Sequence, residues 1–183
     1  MLVIEDIVCN NENTQEEILK NCIVDYTDKY DLLDVVKILH KCFKIPSYQE
    51  ALEYVRDINV DLDNSVKYFD PGTNEIYGLL LMADNTIDKG IPFLEYNNPL
   101  LLALFNGFKQ KEGAAFILDK RIRGLGLDKW MLQTYKDTDD YKERDMIWCG
   151  VQNELKSHGY WKHLGFTNFY NDKMAKFYLK LTD

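Results

Sequence analysis

The sequence predicts a single α/β domain over residues 1–183, and three observations predict it. Apolar patterns of helical period alternate along the chain with short apolar runs of strand length. Pro and Gly preset a turn between two of those runs, at DPGTN (residues 70–74). A glycine-containing stretch, LDKRIRGLGLDKWML (residues 118–132), joins an apolar strand directly to an apolar helix. At 183 residues, with 46% hydrophobic and 13% aromatic residues, the chain can bury a sizeable core.

In chain order, residues 1–20 are polar and are expected to be a loosely attached N-terminal segment. NCIVDYTD (21–28) reads as a short strand, and KYDLLDVVKILHKCF (29–43) as an amphipathic helix with Leu32, Val35, Val36, Leu39 and Phe43 on one side. Pro46 opens a second helix, SYQEALEYVRDI, with Ala51, Leu52, Val55 and Ile58 on its apolar face. Ser65–Phe69 and Glu75–Met82 form a hairpin around DPGTN. Residues 84–98 read as irregular, and PLLLALFNGF (99–108) as a short buried helix. GAAFILDK (113–120) is a strand, followed by a helix to about Tyr135, a polar loop and a strand DMIWCGV. A helix NELKSHGYWKHLG and two closing strands, FTNFY and AKFYLKL, complete the chain.

Composition narrows the function. A net charge of −8 and a pI near 4.9 argue against nucleic acid as a partner, since phosphate-backbone affinity is built from clustered Lys and Arg. An acidic surface suits an amine or a cationic partner better. No apolar run approaches the roughly 18 residues of a membrane span, and the first 20 residues carry acids where a secretory signal carries bases. A cytoplasmic protein with no membrane association is expected. Cys9, Cys22, Cys42 and Cys149 are far apart, with no C-x-x-C, so reduced structural thiols and no metal are expected.

The junction at 118–132 carries the chemistry. The first amides of a helix lack intrahelical partners and its N-terminal end is partly positive, so a glycine-containing lead-in lets N–H groups converge on an anion. The stretch reads as a phosphate cradle, or else as a plain glycine turn with its arginines in water. The P-loop pattern G-x-x-x-x-G-K-[ST] is absent, and a dinucleotide fingerprint would need a third glycine where Lys129 stands.

RIRGLG resembles the Q/R-x-x-G-x-G/A signature of the GCN5-related N-acetyltransferases, and HGYWKHLGF (158–166) resembles their second signature, which ends in Leu-Gly-Phe. Residues 113–182 reproduce the order of that family's coenzyme-binding half, while the first 100 residues match only in outline. The resemblance implies a mixed, mostly antiparallel sheet flanked by helices, with splayed central strands. It implies acetyl-CoA as co-substrate and a small-molecule or peptide primary amine as acceptor, and it leaves a homodimer open.

Two registers of the loop are available, Arg121–Gly126 and Arg123–Asp128, and the second fits the fuller context LDKRIRGLG better. By resemblance, the backbone of Arg123, Gly124, Leu125, Gly126, Leu127 and Asp128 would hold the coenzyme pyrophosphate, with Asp128 turned aside. Phe116, Ile117 and Leu118 would pair their backbone with the pantetheine arm, and the N–H near Leu118 would meet the oxyanion. Gly150 would lie across the gap, or mark a bulge. The family's usual tyrosine acid falls on Trp161, with Tyr160 adjacent and rotated about 100° along the helix. Its pantetheine-binding asparagine falls at Glu154, next to Asn153, which could instead cap the helix. Glu75, Glu95 and Asp119 border predicted strand ends and are candidate bases. His158 and His163 read as helix-surface residues. The function expected is direct acetyl transfer to an amine. The alternative is a catalytically impaired coenzyme-binding or protein-interaction module on the same fold.

Overall fold

A computed structural model describes residues 13–91, 93–153 and 158–182. The chain forms α1 (Gln15–Asn21), β1 (Ile23–Tyr26), α2 (Leu32–Cys42), α3 (Tyr48–Asp57), β2 (Val60–Asp70) and β3 (Glu75–Ala83). Three short helices follow, α4 (Ile87–Gly90), α5 (Leu94–Asn97) and α6 (Pro99–Phe105), and then β4 (Gln110–Leu118). The remainder is α7 (Leu127–Lys136), α8 (Asp139–Lys142), β5 (Met146–Gln152), α9 (His158–His163), β6 (Thr167–Asn171) and β7 (Ala175–Leu181).

Residues 13–21 are built into the fold rather than loosely attached. Thr14 and Glu17 form a reciprocal capping box on α1, Ile18 is 1% exposed, and the Ile18 carbonyl accepts from the Tyr68 hydroxyl. Ser47, not Pro46, begins α3, its hydroxyl accepting from the Glu50 N–H. The DPGTN turn forms as expected, with the Asp70 carboxylate accepting from Gly72 N–H and its carbonyl from Asn74 N–H. The segment expected to be irregular contains α4 and α5. α6 is buried on one side only: Phe105 is in the core with Leu101 and Leu102 half-buried against it, while Leu100 is 83% and Leu104 59% exposed.

The sheet runs β1-β2-β3-β4-β5-β7-β6, antiparallel at every pairing except β4 with β5. Alternate side chains divide its faces. On one face Val66, Tyr68, Met82, Phe116, Leu118 and Cys149 pack with Ile18 of α1, Met131 and Leu132 of α7 and Trp161 of α9. The other face has two halves. Val35 and Leu39 of α2 and Ala51 and Val55 of α3 cover Leu79, Leu81 and Ile117. Ile87, Ile91, Leu94 and Phe105 of the α4–α6 segment cover Met146, Trp148 and Phe177. α4 lies so close to that half that a Cβ on Gly90 would come within 2.0 Å of the Trp148 ring.

One irregularity shapes the middle of the sheet. β3 and β4 shift register between Leu81↔Ala115 and Met82↔Gly113, leaving Ala114 as an extra residue, and such a bulge bends the strand that carries it. β4 therefore pairs with β5 only at Gln110↔Met146, Lys111↔Ile147 and Glu112↔Trp148. Beyond Glu112, β4 stays on β3 as far as Leu118, while β5 stays on β7 as far as Gln152↔Ala175. The two strands splay, as the resemblance implies. The β5–β7 ladder passes through Gly150↔Phe177 without a shift, so no bulge lies at Gly150.

The closed end of the splay is held by charge. Lys111, 0% exposed, donates to Asp61 and, at 2.9 Å, to Asp84, and lies 3.3 Å from Asp140. Arg144 bridges Asp84 at 3.0 Å and Asp140 at 2.5 Å, and the Tyr135 hydroxyl donates to Asp140. The three carboxylates approach within 4.8 Å of one another, and the two cations pair with them there. Burial opposes ionisation of Asp61, but hydrogen bonds from Lys111 and Asn64 and the Lys111 charge hold its carboxyl below its ordinary value of 3.8. Stability from that shift is complete above the unfolded-state value and is lost as pH falls through the folded-state value. Lys111→Met is expected to destabilise the fold by about 3 kcal/mol at pH 7, because it leaves carboxylates uncompensated. Urea unfolding at pH 7 and pH 3 should show the deficit shrinking in acid.

Candidate functional site

The stretch after β4 sorts its arginines by side-chain partner. Asp119, buried, accepts from the Arg121 backbone N–H and, in bidentate fashion at 2.9 Å, from the Arg121 guanidinium. Arg121 also donates to the Asn13 carbonyl at 2.6 Å and lies over the Tyr77 ring. Arg123 turns the other way, its guanidinium donating to the Leu118 carbonyl at 3.1 and 3.0 Å. The register beginning at Arg123 is the one whose residues face the splay.

Gly124 and Gly126 have φ of 75° and 79°, in the left-handed region that a side chain disfavours. A Cβ on either would meet nothing within 4 Å, so the backbone faces open space. Gly126 is the N-cap of α7, and the free first-turn N–H groups of that helix start here. The loop borders a cavity of about 430 Å³ whose walls include Phe116, Leu118, Arg123, Asp128 and Tyr160. Asp128 is not turned aside. Its carboxylate accepts from the Lys129 N–H at 2.9 Å and lines the cavity.

Strand alternation fixes which β4 groups face the gap. The Asp119 N–H donates to the Tyr77 carbonyl on β3, so the N–H of Ile117 points the same way and those of Phe116 and Leu118 point to the splayed side. The Leu118 carbonyl meeting Arg123 agrees. Of the three β4 residues expected to meet pantetheine, Phe116 and Leu118 present side chain and backbone to the cleft, whereas the Ile117 side chain is in the α2–α3 core. Leu127 is buried and Leu125 exposed beside the loop.

Of the two aromatic residues on α9, Tyr160 lines the cavity and Trp161 does not. α9 ends in a Schellman motif, with Phe166 N–H bonding Trp161 O at 2.9 Å, Gly165 N–H bonding Lys162 O, and Gly165 at φ 88°. The hydrophobic contact of that motif is Trp161 on Phe166, ring centroids 5.2 Å apart, and it commits the indole to the core. Tyr160, one residue earlier, faces the cavity with its ring edge-on to Phe116 at 5.8 Å. Its hydroxyl is buried and makes no hydrogen bond of normal geometry. Burial first, and the Asp128 carboxylate second, push its phenol well above the ordinary value.

Asn153 is held away from the cleft, and the residues it would cap, 154–157, lie outside the described residues. Its side-chain amide donates to the carbonyls of Asp172 and Lys173, tying the end of β5 to the turn between β6 and β7, and it does not line the cleft. Glu154 and the His158 side chain lie outside the described residues, as does Cys9. His163 is exposed and lines the cleft. Cys22, Cys42 and Cys149 are buried, and burial pushes the Cys22 thiol up to about 12.

The candidate bases fare unequally. Asp119 is committed to Arg121, Glu75 accepts from the Tyr77 hydroxyl, and Glu95 lies on α5. Sequence reasoning missed Glu112, 2% exposed, at the last rung where β4 and β5 still pair. It pairs across the sheet with Trp148 and Ala83, on the face shared by α3 and the α4–α6 segment, and accepts from the Asn85 amide at 2.7 Å. Starting the strand at Gly113 placed Glu112 in a loop. The signal was an acid continuous with an apolar run.

A seven-stranded sheet that splays after its single parallel pairing, with a glycine loop and helix N-terminus at the mouth, is the fold of the GCN5-related N-acetyltransferases. No protein-family model and no curated protein sequence matches the chain. Solved structures do match. Arylalkylamine N-acetyltransferase 2 from Aedes aegypti gives a TM-score of 0.60 at 17% identity, over 89% of this chain and 100% of that one. An acetyltransferase of the GNAT family from Staphylococcus aureus Mu50 gives 0.56 at 15%, over 88% and 99%. Ard1 from Thermoplasma volcanium gives 0.55 at 12%, over 88% and 98%. At these identities the likeness is one of fold. Among the described residues no helix is long and apolar enough to cross a membrane.

Proposed function

We propose that the protein is an N-acetyltransferase that moves the acetyl group of acetyl-CoA onto a primary amine by direct attack. The observation that carries this reading is the gap itself, which opens at a loop suited to a pyrophosphate and closes at a buried carboxylate, Glu112. The coenzyme would place its diphosphate on the N–H groups of Gly124 to Asp128 and its pantetheine arm along the free edge of β4. The thioester would then lie in the gap with the N–H of Phe116, the nearer of the two to Glu112, as donor for its carbonyl oxygen, and with the N–H of Leu118, about 6.6 Å further along the strand, left to the pantetheine arm.

Glu112 receives the proton of the incoming ammonium, and the amine nitrogen bonds to the carbonyl carbon. The C–S bond then breaks, and the departing sulfur takes a proton from the Tyr160 hydroxyl, which its surroundings keep protonated through alkaline pH. The phenolate is restored by the second proton that the nitrogen sheds as the amide forms, leaving one proton on Glu112 to pass to water. The acceptor is a small-molecule or peptide amine that approaches between α3 and the α4–α6 segment, on the Glu112 face. The acidic surface favours its cationic form.

The test is a single turnover with acetyl-CoA across a panel of amines, following free thiol and acetylated product. Equimolar appearance of both supports the reading, and tight coenzyme binding without transfer to any amine contradicts it. Tyr160→Phe should lower turnover by about tenfold while leaving acetyl-CoA affinity unchanged. The loss is modest because a thiolate with a pKa near 8.5 is a tolerable leaving group. Steady-state kinetics beside a binding isotherm separate the two effects.

A further inference from the structure

Glu112 is set in place by more than its own strand. Its carboxylate accepts from Asn85 Nδ2 at 2.7 Å, and Asn85 is a buried residue in the link between β3 and α4. The orientation of that amide is fixed, because Asn85 Oδ1 accepts from the Thr86 N–H at 3.1 Å and the nitrogen is then turned to Glu112. The Asn85 carbonyl in turn accepts from the Trp148 indole N–H at 3.2 Å, and Trp148 is the residue paired with Glu112 across β4 and β5. The connection therefore closes on itself, running from Glu112 to Asn85, on to Trp148, and back through the strand pairing.

Neighbouring contacts hold this circuit in register. Gln110, two residues before Glu112 and on the same face of β4, accepts from the Ile87 N–H at 2.8 Å and donates to the Phe105 carbonyl at 2.7 Å. α4 and α6 are thereby pinned to the strand that carries Glu112, and α4 lies against the Trp148 ring at Gly90. Asn85 donates a hydrogen bond and no charge, so it orients the Glu112 carboxylate without neutralising it.

We propose that Asn85 is a positioning residue for proton transfer. It fixes the Glu112 carboxylate at the closed end of the splay, so that removal of the ammonium proton depends on the Asn85 amide as well as on the acid. The inference rests on the reading of Glu112 as the proton acceptor. A carboxylate released from the amide samples other rotamers, and a proton acceptor displaced by about 1 Å loses most of its advantage over water.

A double-mutant cycle on turnover tests the proposal, with Asn85→Ala made in the unsubstituted protein and in Glu112→Gln. In the unsubstituted protein Asn85→Ala is expected to lower turnover roughly tenfold or more, with the Michaelis constant for acetyl-CoA unchanged. In the Glu112→Gln protein it should cause no further loss, because the group it positions is already gone. Unchanged acetyl-CoA affinity also reports that each variant is folded. Should Asn85→Ala fail to fold, Asn85→Asp takes its place in the cycle. It keeps the side chain's shape and the acceptor for the Thr86 N–H but loses the donor, and the same pattern is expected. An equal fold-loss in both backgrounds is what a structural role alone would give, and that result, or no loss in either, overturns the positioning role while leaving Glu112 as proton acceptor. Full turnover of Glu112→Gln itself overturns both.

Discussion

Glu112→Gln is expected to lower turnover by about two orders of magnitude while leaving the Michaelis constant for acetyl-CoA near its original value. The substitution keeps the side chain's size and an oxygen for the Asn85 amide, so the rung at Glu112↔Trp148 is preserved. What it removes is a proton acceptor at the closed end of the splay. Unchanged turnover across pH in a folded variant would assign deprotonation of the amine to water.

Gly124→Asp has the second large effect, and it acts on binding. At φ 75° a side chain strains the backbone by about 1 to 2 kcal/mol, and the added carboxylate projects into the space that the loop leaves open. Acetyl-CoA affinity should fall at least tenfold, about 1.4 kcal/mol or more. Gly124→Ala separates the contributions, since it brings the strain without the charge and should retain more affinity. Full affinity in a folded Gly124→Asp protein would move the pyrophosphate off this loop.

The cleft was legible in sequence where backbone conformation dictates residue type. Gly124, Gly126 and Gly165 all occupy the left-handed region, so both signatures are traces of two helix ends, one that opens toward a ligand and one that closes on the core. What sequence could not supply was side-chain direction. Counting back from Gly165 put Trp161 at the acid position, but the cap that Gly165 makes draws Trp161 onto Phe166 and leaves Tyr160 to the cavity. Carrying the count to Asn153 passes beyond the described start of α9 at His158, and Asn153 proves to be tied to the β6–β7 turn.

The N-terminal half was less legible for a different reason. Its elements are fixed by tertiary packing more than by local signals. The run PLLLALF reads as a core helix by composition, yet Leu100 and Leu104 lie on the surface and Leu101 and Leu102 are only half-buried, while the short α1 buries a single residue of its own, Ile18. The capping box at Thr14 and Glu17 was the local signal that could have shown α1. The bulge at Ala114 that opens the sheet has Gly113 beside it, but that glycine read as the start of the strand, and the bulge shows only in the register of β4 on β3.

An amide-resolved titration with acetyl-CoA tests the coenzyme cleft most directly. Saturable shifts should fall on Gly124, Gly126, Leu127 and Lys129 and on Phe116 and Leu118 along the open edge of β4. The amides of Lys111 and Ile147, at the closed end where the strands still pair, should move least. Saturable binding that leaves the loop and the β4 edge unmoved, or no binding at millimolar acetyl-CoA, would contradict the account.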